Sequence, residues 1–217
     1  MRTIDTGGIT YIAPVPEGTA EWYYGLSSGN GDLYEAEEVF RAGHAVKGNR
    51  LCLIHYPDGQ VFLPLREEEG TYFESPVFLD GQIYILKVDF VNAKIFIYRF
   101  GCSSHCADIL AEIPLSAVRN CYNLKLHTAP LCLTRQGDEG LFEIVYPEKA
   151  GFEMDPHESF FLREGGKLYF NKWYEEGEGP EYRYFEETVV RDLDGNVIET
   201  LSGDIRVMPD GEWWHFV

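Results

Sequence analysis

The sequence predicts an all-β fold, and three of its features indicate this. No long stretch places apolar residues at the i, i+3, i+4 and i+7 spacing of an amphipathic helix. Short runs of β-branched and aromatic residues are separated by Gly, Asp, Asn and Pro, and aromatic residues make up 15% of the chain. Turn pairs also precede several apolar runs: Asp-Gly at 58–59, 80–81, 194–195 and 210–211, and Gly-Gly at 165–166. Because such pairs readily adopt positive φ angles, they favour type I′ hairpins.

The apolar runs predict about 18 to 20 short strands between ITYIA at 9–13 and EWWHFV at 212–217. One of these strand candidates is LYEAEEVF at 33–40. The nearest approach to a helix is about one turn at Leu115–Val118. The length of 217 residues fits a single all-β domain, 1–217.

A weak internal repeat organises these strands. The segment ESPVFLDGQIYILKVDF at 74–90 parallels ESFFLREGGKLYFNKWY at 158–174, and each repeat unit is about four strands long. Extending the pattern predicts units at 20–68, 73–118, 124–155 and 157–202, followed by two strands within 204–217. The N-terminal run ITYIA is expected to complete that last sheet.

The four-strand period and the strand–turn–strand phrase SPVFLDGQIYIL at 75–86 resemble β-propeller proteins, most closely the five-bladed ones. The resemblance implies a small propeller of about five four-stranded blades, closed by the N- and C-terminal strands, which removes exposed sheet edges. A β-sandwich or a barrel is the alternative arrangement of the same strands.

Charge and composition restrict the binding partners and the cellular location that the sequence predicts. A formal net charge of −18 disfavours nucleic acids and anionic membranes as partners. Residues 151–217 hold 16 of the 36 acidic residues and 6 of the 18 lysines and arginines, which indicates a solvated face or a site for a cation or basic partner. The first residues lack the apolar run of a signal peptide, and no stretch is long enough to span a bilayer, so we expect a cytoplasmic protein. The five cysteines, including those in LCLI and APLCL, are expected to be reduced thiols in the core.

The propeller resemblance also implies a candidate site. If the first strand of each blade lines a central channel, residues at the starts of those strands converge at one mouth. The residues in these positions are Glu21, Glu74, His127, Glu158 and Asp204. Five-bladed propellers include glycosidases that use carboxylates at the channel mouth, which makes Glu21, Glu74, Glu158 and Asp204 candidate catalytic residues. The opposing interpretation is that these acids are simply solvated at the blade rims.

Aromatic residues beside the same positions could stack on a sugar or another planar face. With His127, the candidates for ligand binding are therefore Trp22, Trp213 and Trp214, although such rings more often pack between blades. Cys102-Ser-Ser-His105-Cys106 carries three metal-type ligands without the fourth of a tetrahedral zinc site, so no metal site is predicted. Nothing in the sequence implies a cofactor, since GxGxxG, P-loop, GxSxG and HExxH patterns are all missing.

These observations predict a ligand-binding or protein-interaction module whose partner is a small molecule, for example a carbohydrate, or another protein. A carbohydrate-active hydrolase is the alternative, and a purely structural subunit is the third possibility. The sequence supplies a scaffold without a catalytic signature, so it does not establish that any reaction occurs.

Overall fold

The chain is almost entirely β-structure. A computed structural model describes residues 1–16, 18–27, 29, 31–137, 139–208 and 210–217. In this part of the chain, 19 strands are joined by one α-helix and two 3-10 turns. Contacts divide the chain into two compact units, Met1–Cys121 and Tyr122–Val217. The all-β prediction is confirmed, whereas the single domain and the closed ring stay predictions.

The first sheet of the first unit has the order β1-β2-β3-β4, with every pair antiparallel. Its strands are β1 (Tyr11–Pro14), β2 (Trp22–Leu26), β3 (Leu51–His55) and β4 (Val61–Phe62). The prediction that the N-terminal strand completes the last sheet is wrong, because β1 pairs with β2. Only a short connection separates Pro14 from Trp22, and Val15 N donates to Trp22 O at 2.9 Å, so β1 folds back on its nearest neighbour in the chain.

The prediction of a strand at 33–40 is also wrong, because this segment forms the helix α1 (Leu33–Arg41). Asp32 caps its first turn by accepting from Glu35 N, and the Glu35 carboxylate accepts from Asp32 N in return. This capping box satisfies two backbone donors that would otherwise be free. Glu37 anchors the helix, since its carboxylate accepts from Cys121 N at 2.5 Å and pairs with Arg41 at 2.6 Å.

The second sheet has four strand positions, the first of which is interrupted. Strands β5 (Thr71–Phe73) and β6 (Val77–Leu79) pair with successive parts of β7 (Gln82–Asp89), which is followed by β8 (Lys94–Gly101) and β9 (Ala107–Pro114). Pro76 lies in the interruption and has no N–H for the ladder. The predicted turn at 115–118 is present as the 3-10 helix η1 (Leu115–Ala117). An apolar cluster that includes Trp22, Leu53, Phe73 and Phe100 joins the two sheets of this unit.

The second unit contains two further four-stranded meanders and a hairpin. The third sheet comprises β10 (Leu124–Thr128), β11 (Leu131–Gln136), β12 (Leu141–Tyr146) and β13 (Ala150–Glu153). The fourth sheet comprises β14 (Glu158–Glu164), β15 (Lys167–Glu176), β16 (Arg183–Arg191) and β17 (Val197–Ser202), with η2 (Gly179–Glu181) between β15 and β16. Strands β18 (Asp204–Val207) and β19 (Trp213–Phe216) form the final hairpin. The predicted units 124–155 and 157–202 coincide with sheets, and the unit 73–118 does so apart from the first two residues of β5, which is consistent with propeller blades. The unit 20–68 does not, because its sheet takes β1 from outside the unit and its predicted strand at 33–40 is a helix.

The turn prediction is confirmed where the connection has two residues. Asp80 and Gly81 both have positive φ angles between β6 and β7, as do Gly165 and Gly166 between β14 and β15. This is the backbone signature of a type I′ turn. At 58–59 and 194–195 the glycine has a positive φ and the aspartate does not, so those connections use other turn types. At 210–211 the glycine also has a positive φ.

No helix among the described residues is long and apolar enough to cross a membrane.

Candidate functional site

An open cleft of about 690 Å³ lies in the first unit, at the side where the N-terminal segment passes the first sheet. Its apolar lining is aliphatic and comes from Ile9, Leu51, Val61, Leu63 and Leu65. Leu51 belongs to the core cluster and Leu65 packs against it, so the floor of the cleft rests on the folded interior. Leu63 is 71% exposed, which leaves a large apolar side chain for a ligand to cover.

One wall of the cleft is a compact turn at the N-terminus. The Asp5 carboxylate accepts from Gly7 N at 2.9 Å, and the Thr6 hydroxyl donates to Ile9 O at 2.7 Å. Gly7 has a φ of 64°, which a side chain would strain. These local bonds give the wall a defined shape.

Two arginines and two acids give the cleft its charge. Arg50 precedes β3 and donates from Nη1 to Gly7 O at 2.9 Å, while its Nε lies 3.8 Å from Glu67 Oε2. Arg66 follows the exposed Leu63 and the half-buried Leu65, and it makes no hydrogen bond or ion pair with any described residue. With Asp5 and Glu67, the lining has equal numbers of positive and negative groups. The guanidinium of Arg50 is thus oriented by the protein, whereas that of Arg66 is available to a ligand.

The first unit contains three of the residues that the sequence predicted as a site. Trp22 is buried, and its ring contacts His55, Phe62 and Phe100 with centroid distances between 4.9 and 5.9 Å. Glu21 is exposed at the start of β2. Glu74 lies in the interruption between β5 and β6, where its carboxylate accepts from Ser75 N at 2.9 Å. None of the three is among the residues that line the cleft.

Glu158, a candidate catalytic acid, has a buried ionic partner in the second unit. It begins β14, is 1% exposed, and accepts from Arg191 Nε and Nη2 at 2.9 Å each. Arg191 is also fixed by its bond to Gly195 O at 2.6 Å. Both carboxylate oxygens of Glu158 are therefore engaged, and this geometry fits a structural ion pair.

The other predicted residues of the second unit lie in different surroundings. Asp204 begins β18 and pairs with the exposed Arg206. The Trp213 ring lies 5.7 Å from that of Phe161, and Trp214 is 48% exposed with its indole N–H bonded to Glu212. His127 lies on β10 with its imidazole edge-on against Phe160, at a centroid distance of 4.7 Å.

Burial lowers the pKa of His127 to about 4, with a smaller contribution from Lys125. The folded state therefore favours the neutral imidazole, whereas an unfolded histidine titrates near pH 6.5. Because the unfolded chain binds the proton more readily, acid lowers the free energy of unfolding. The contribution of the neutral His127 to this free energy is fully present above about pH 6.5 and is lost as the pH falls towards 4.

We expect acidification to remove about 3 kcal/mol of stability through His127. The measurement compares the unfolding free energies of the wild type and His127→Gln at pH 7 and pH 4. His157→Gln, which replaces an exposed histidine, serves as the control. Equal pH dependence in the wild type and His127→Gln would contradict the assignment.

The cysteine–histidine segment packs on aromatic rings. His105 lies 4.4 Å from the ring of Phe62, and burial raises the pKa of Cys102 to about 11. A thiol with a raised pKa is a poor nucleophile and a poor metal ligand at neutral pH. The described residues include no group of three or more His, Cys, Asp or Glu side chains placed to hold a metal ion. All five cysteines are free, but the prediction of core thiols is wrong for Cys102 and Cys106, which are half-buried and exposed on the loop after β8.

Arg50 and Arg66 were not among the residues predicted from the sequence, because the excess of acidic residues favours a site built on carboxylates. A useful signal was present: both arginines adjoin apolar runs, RLCLI at 50–54 and VFLPLR at 61–66, in a chain with only 18 lysines and arginines. Their convergence with the N-terminal turn depends on long-range folding. The chain matches no protein-family model and is similar to none of the curated proteins with which it was compared.

Proposed function

We propose that this protein is a binding module whose first unit takes a small organic anion with an aliphatic body. The observation that carries the proposal is the guanidinium of Arg66, which has no partner among the described residues and lies beside apolar lining residues that are all aliphatic. Ligand sites of this size are typically apolar with a few polar groups that fix orientation. A bound carboxylate would accept charge-assisted hydrogen bonds from Arg66 while its chain covers Leu63.

The acids of the cleft narrow the ligand further. Asp5 and Glu67 would repel a second or third negative charge, so a monocarboxylate fits better than a polyphosphate. The lining also has no aromatic residue among those described, whereas sugars are commonly held by stacking on aromatic rings. This favours an aliphatic carboxylate over a carbohydrate.

The direct test is calorimetric titration of the protein with octanoate, with octanol as the uncharged analogue and acetate as the short one. We expect octanoate to bind and Arg66→Gln to weaken it about tenfold, because a charge-assisted hydrogen bond is lost. Arg99→Gln removes the same charge from an exposed pair with Asp108, outside the cleft, and should leave the affinity unchanged.

The controls separate the two parts of the site. Leu63→Ser should weaken octanoate binding while leaving the preference for the anion over octanol intact. If octanol binds as tightly as octanoate, or if Arg66→Gln and Arg99→Gln behave alike, the anion site is refuted.

A further inference from the structure

The hairpin formed by β15 and β16 presents a face of aromatic rings and carboxylates in the second unit. Consecutive residues of a strand point to opposite faces, and directly paired residues share a face. Trp173 pairs with Glu186, and Glu175 pairs with Tyr184, so these four side chains lie on one face. We call these four residues, together with Tyr182, the aromatic–acidic face.

The rings of this face are open to solvent. Trp173 is 36% exposed and Tyr184 is 52% exposed, although both lie on a hairpin whose other end is packed in the core. His157 supports Trp173 from one side, edge-on at 4.3 Å. Exposed aromatic side chains grouped on one surface mark interaction sites more often than isolated ones do.

The carboxylates of this face accept hydrogen bonds from neutral donors only, among the described residues. Glu175 accepts from the Tyr182 hydroxyl at 2.8 Å, and Glu186 accepts from the Tyr184 hydroxyl and from Asn171 Nδ2. These donors are hydroxyl and amide groups, so they orient the carboxylates without supplying a positive charge. Among the described residues, neither acid forms an ion pair with a lysine or arginine.

The opposite face of the same hairpin differs in this respect. There the rings of Tyr174 and Phe185 stack on each other at 4.9 Å, and Lys172 lies 5.1 Å from the Tyr174 ring. Glu176 lies directly opposite Arg183 in the register of the two strands on that side. The opposite face thus already carries two cationic side chains, Lys172 and Arg183. The five residues of the aromatic–acidic face include three rings and two acids but no lysine or arginine.

From this arrangement we propose that the aromatic–acidic face docks a basic segment of a protein partner, with an arginine or lysine side chain over Trp173 and Tyr184 and next to Glu175 and Glu186. Cations are attracted to the faces of aromatic rings, most strongly to tryptophan, and adjacent carboxylates add a directed ion pair. The surface belongs to an extended two-stranded ribbon, and an extended peptide can lie along such a ribbon with alternate side chains on it. The proposal is independent of the anion cleft in the first unit.

Binding should be measured by titrating the full chain with a short capped peptide of alternating arginine and threonine. Tryptophan fluorescence and calorimetry detect the complex. A peptide of alternating glutamate and threonine provides the charge-reversed comparison. Any protein with a net charge of −18 attracts cationic peptides to some extent, so the decisive comparison is between matched variants.

Two matched pairs of variants distinguish docking from general attraction. Glu175→Gln and Glu176→Gln remove the same charge from adjacent residues on opposite faces, and Trp173→Leu and Phe185→Leu remove exposed rings from opposite faces without changing the charge. We expect Glu175→Gln and Trp173→Leu each to weaken binding at least fivefold, and Glu176→Gln and Phe185→Leu to change it less than about twofold.

Three outcomes would overturn the proposal. The first is that the arginine peptide does not bind. The second is that each pair of variants behaves alike, which would mean that binding follows net charge only. The third is that tetramethylammonium binds as tightly as the peptide and competes with it, which would make the face a site for a small ammonium compound. The octanoate titration is unaffected by any of these results, so the two proposals fail separately.

Discussion

Replacing Arg135 by alanine is expected to destabilise the second unit by about 3 kcal/mol, because it removes the cation from a buried ionic cluster. Arg135 lies on β11 and is completely buried. Its Nη1 donates to Glu143 at 2.8 Å and its Nη2 donates to Glu139 at 2.9 Å. The variant leaves two carboxylates facing a cavity. Both acids are about one quarter exposed, so water screens part of the cost, and we expect the lower end of the range for broken buried pairs.

Denaturation of the wild type and Arg135→Ala in urea measures this loss directly. Arg99→Ala is the matched control, because Arg99 forms an ion pair of similar length, 2.9 Å, with both partners exposed at the surface. Exposed pairs contribute less than about 1 kcal/mol. If the two variants lose the same stability, Arg135 does not act as a buried structural cation.

Replacing Glu158 by glutamine should lower the free energy of unfolding by about 3 kcal/mol, because it leaves the Arg191 guanidinium buried without its counter-charge. This loss is independent of the one expected at Arg135. Glutamine has nearly the same shape as glutamate, so the loss reports the charge rather than a cavity. Arg191 is 12% exposed in its side chain, which leaves little solvent to compensate.

The control for this variant is Glu199→Gln in the same sheet. Glu199 lies 3.8 Å from Lys167, and both side chains are about half exposed, so we expect a change below about 1 kcal/mol. A double-mutant cycle with Arg191→Leu then isolates the pair energy. Full stability of Glu158→Gln would contradict the structural role of the pair and would return Glu158 to the candidates for catalysis.

The two hydrogen bonds of the Gln136 side chain connect neighbouring sheets of the second unit. Its side-chain amide donates to Glu158 O at 2.6 Å, and its carbonyl accepts from Phe160 N at 3.2 Å. The third sheet is thereby joined to the first strand of the fourth through backbone groups. The ion pair of Glu158 with Arg191 then continues this polar connection across the fourth sheet. Buried polar groups that are fully bonded in this way favour one specific packing of the sheets.

The sequence by itself determined most of the strands, the three four-stranded units that follow residue 70 and the two-residue turns at 80–81 and 165–166. Each of these features is local: alternation of apolar residues acts within a strand, and a pair such as Asp80-Gly81 acts within one turn. The error at α1 was local too, because the Asp32–Glu35 capping box was present in the sequence but its short helix lacked a long apolar period.

The tertiary structure decided which polar residues are partners and which face solvent. Glu158 meets Arg191 at a separation of 33 residues along the chain, and Arg50 meets Gly7 at a separation of 43, distances over which no local pattern specifies contact. Trp22 and Trp173 have similar surroundings in sequence, each beside a tyrosine at position +1. The first is buried against Phe62 and Phe100, whereas the second remains exposed, because burial depends on what the rest of the fold brings against each ring.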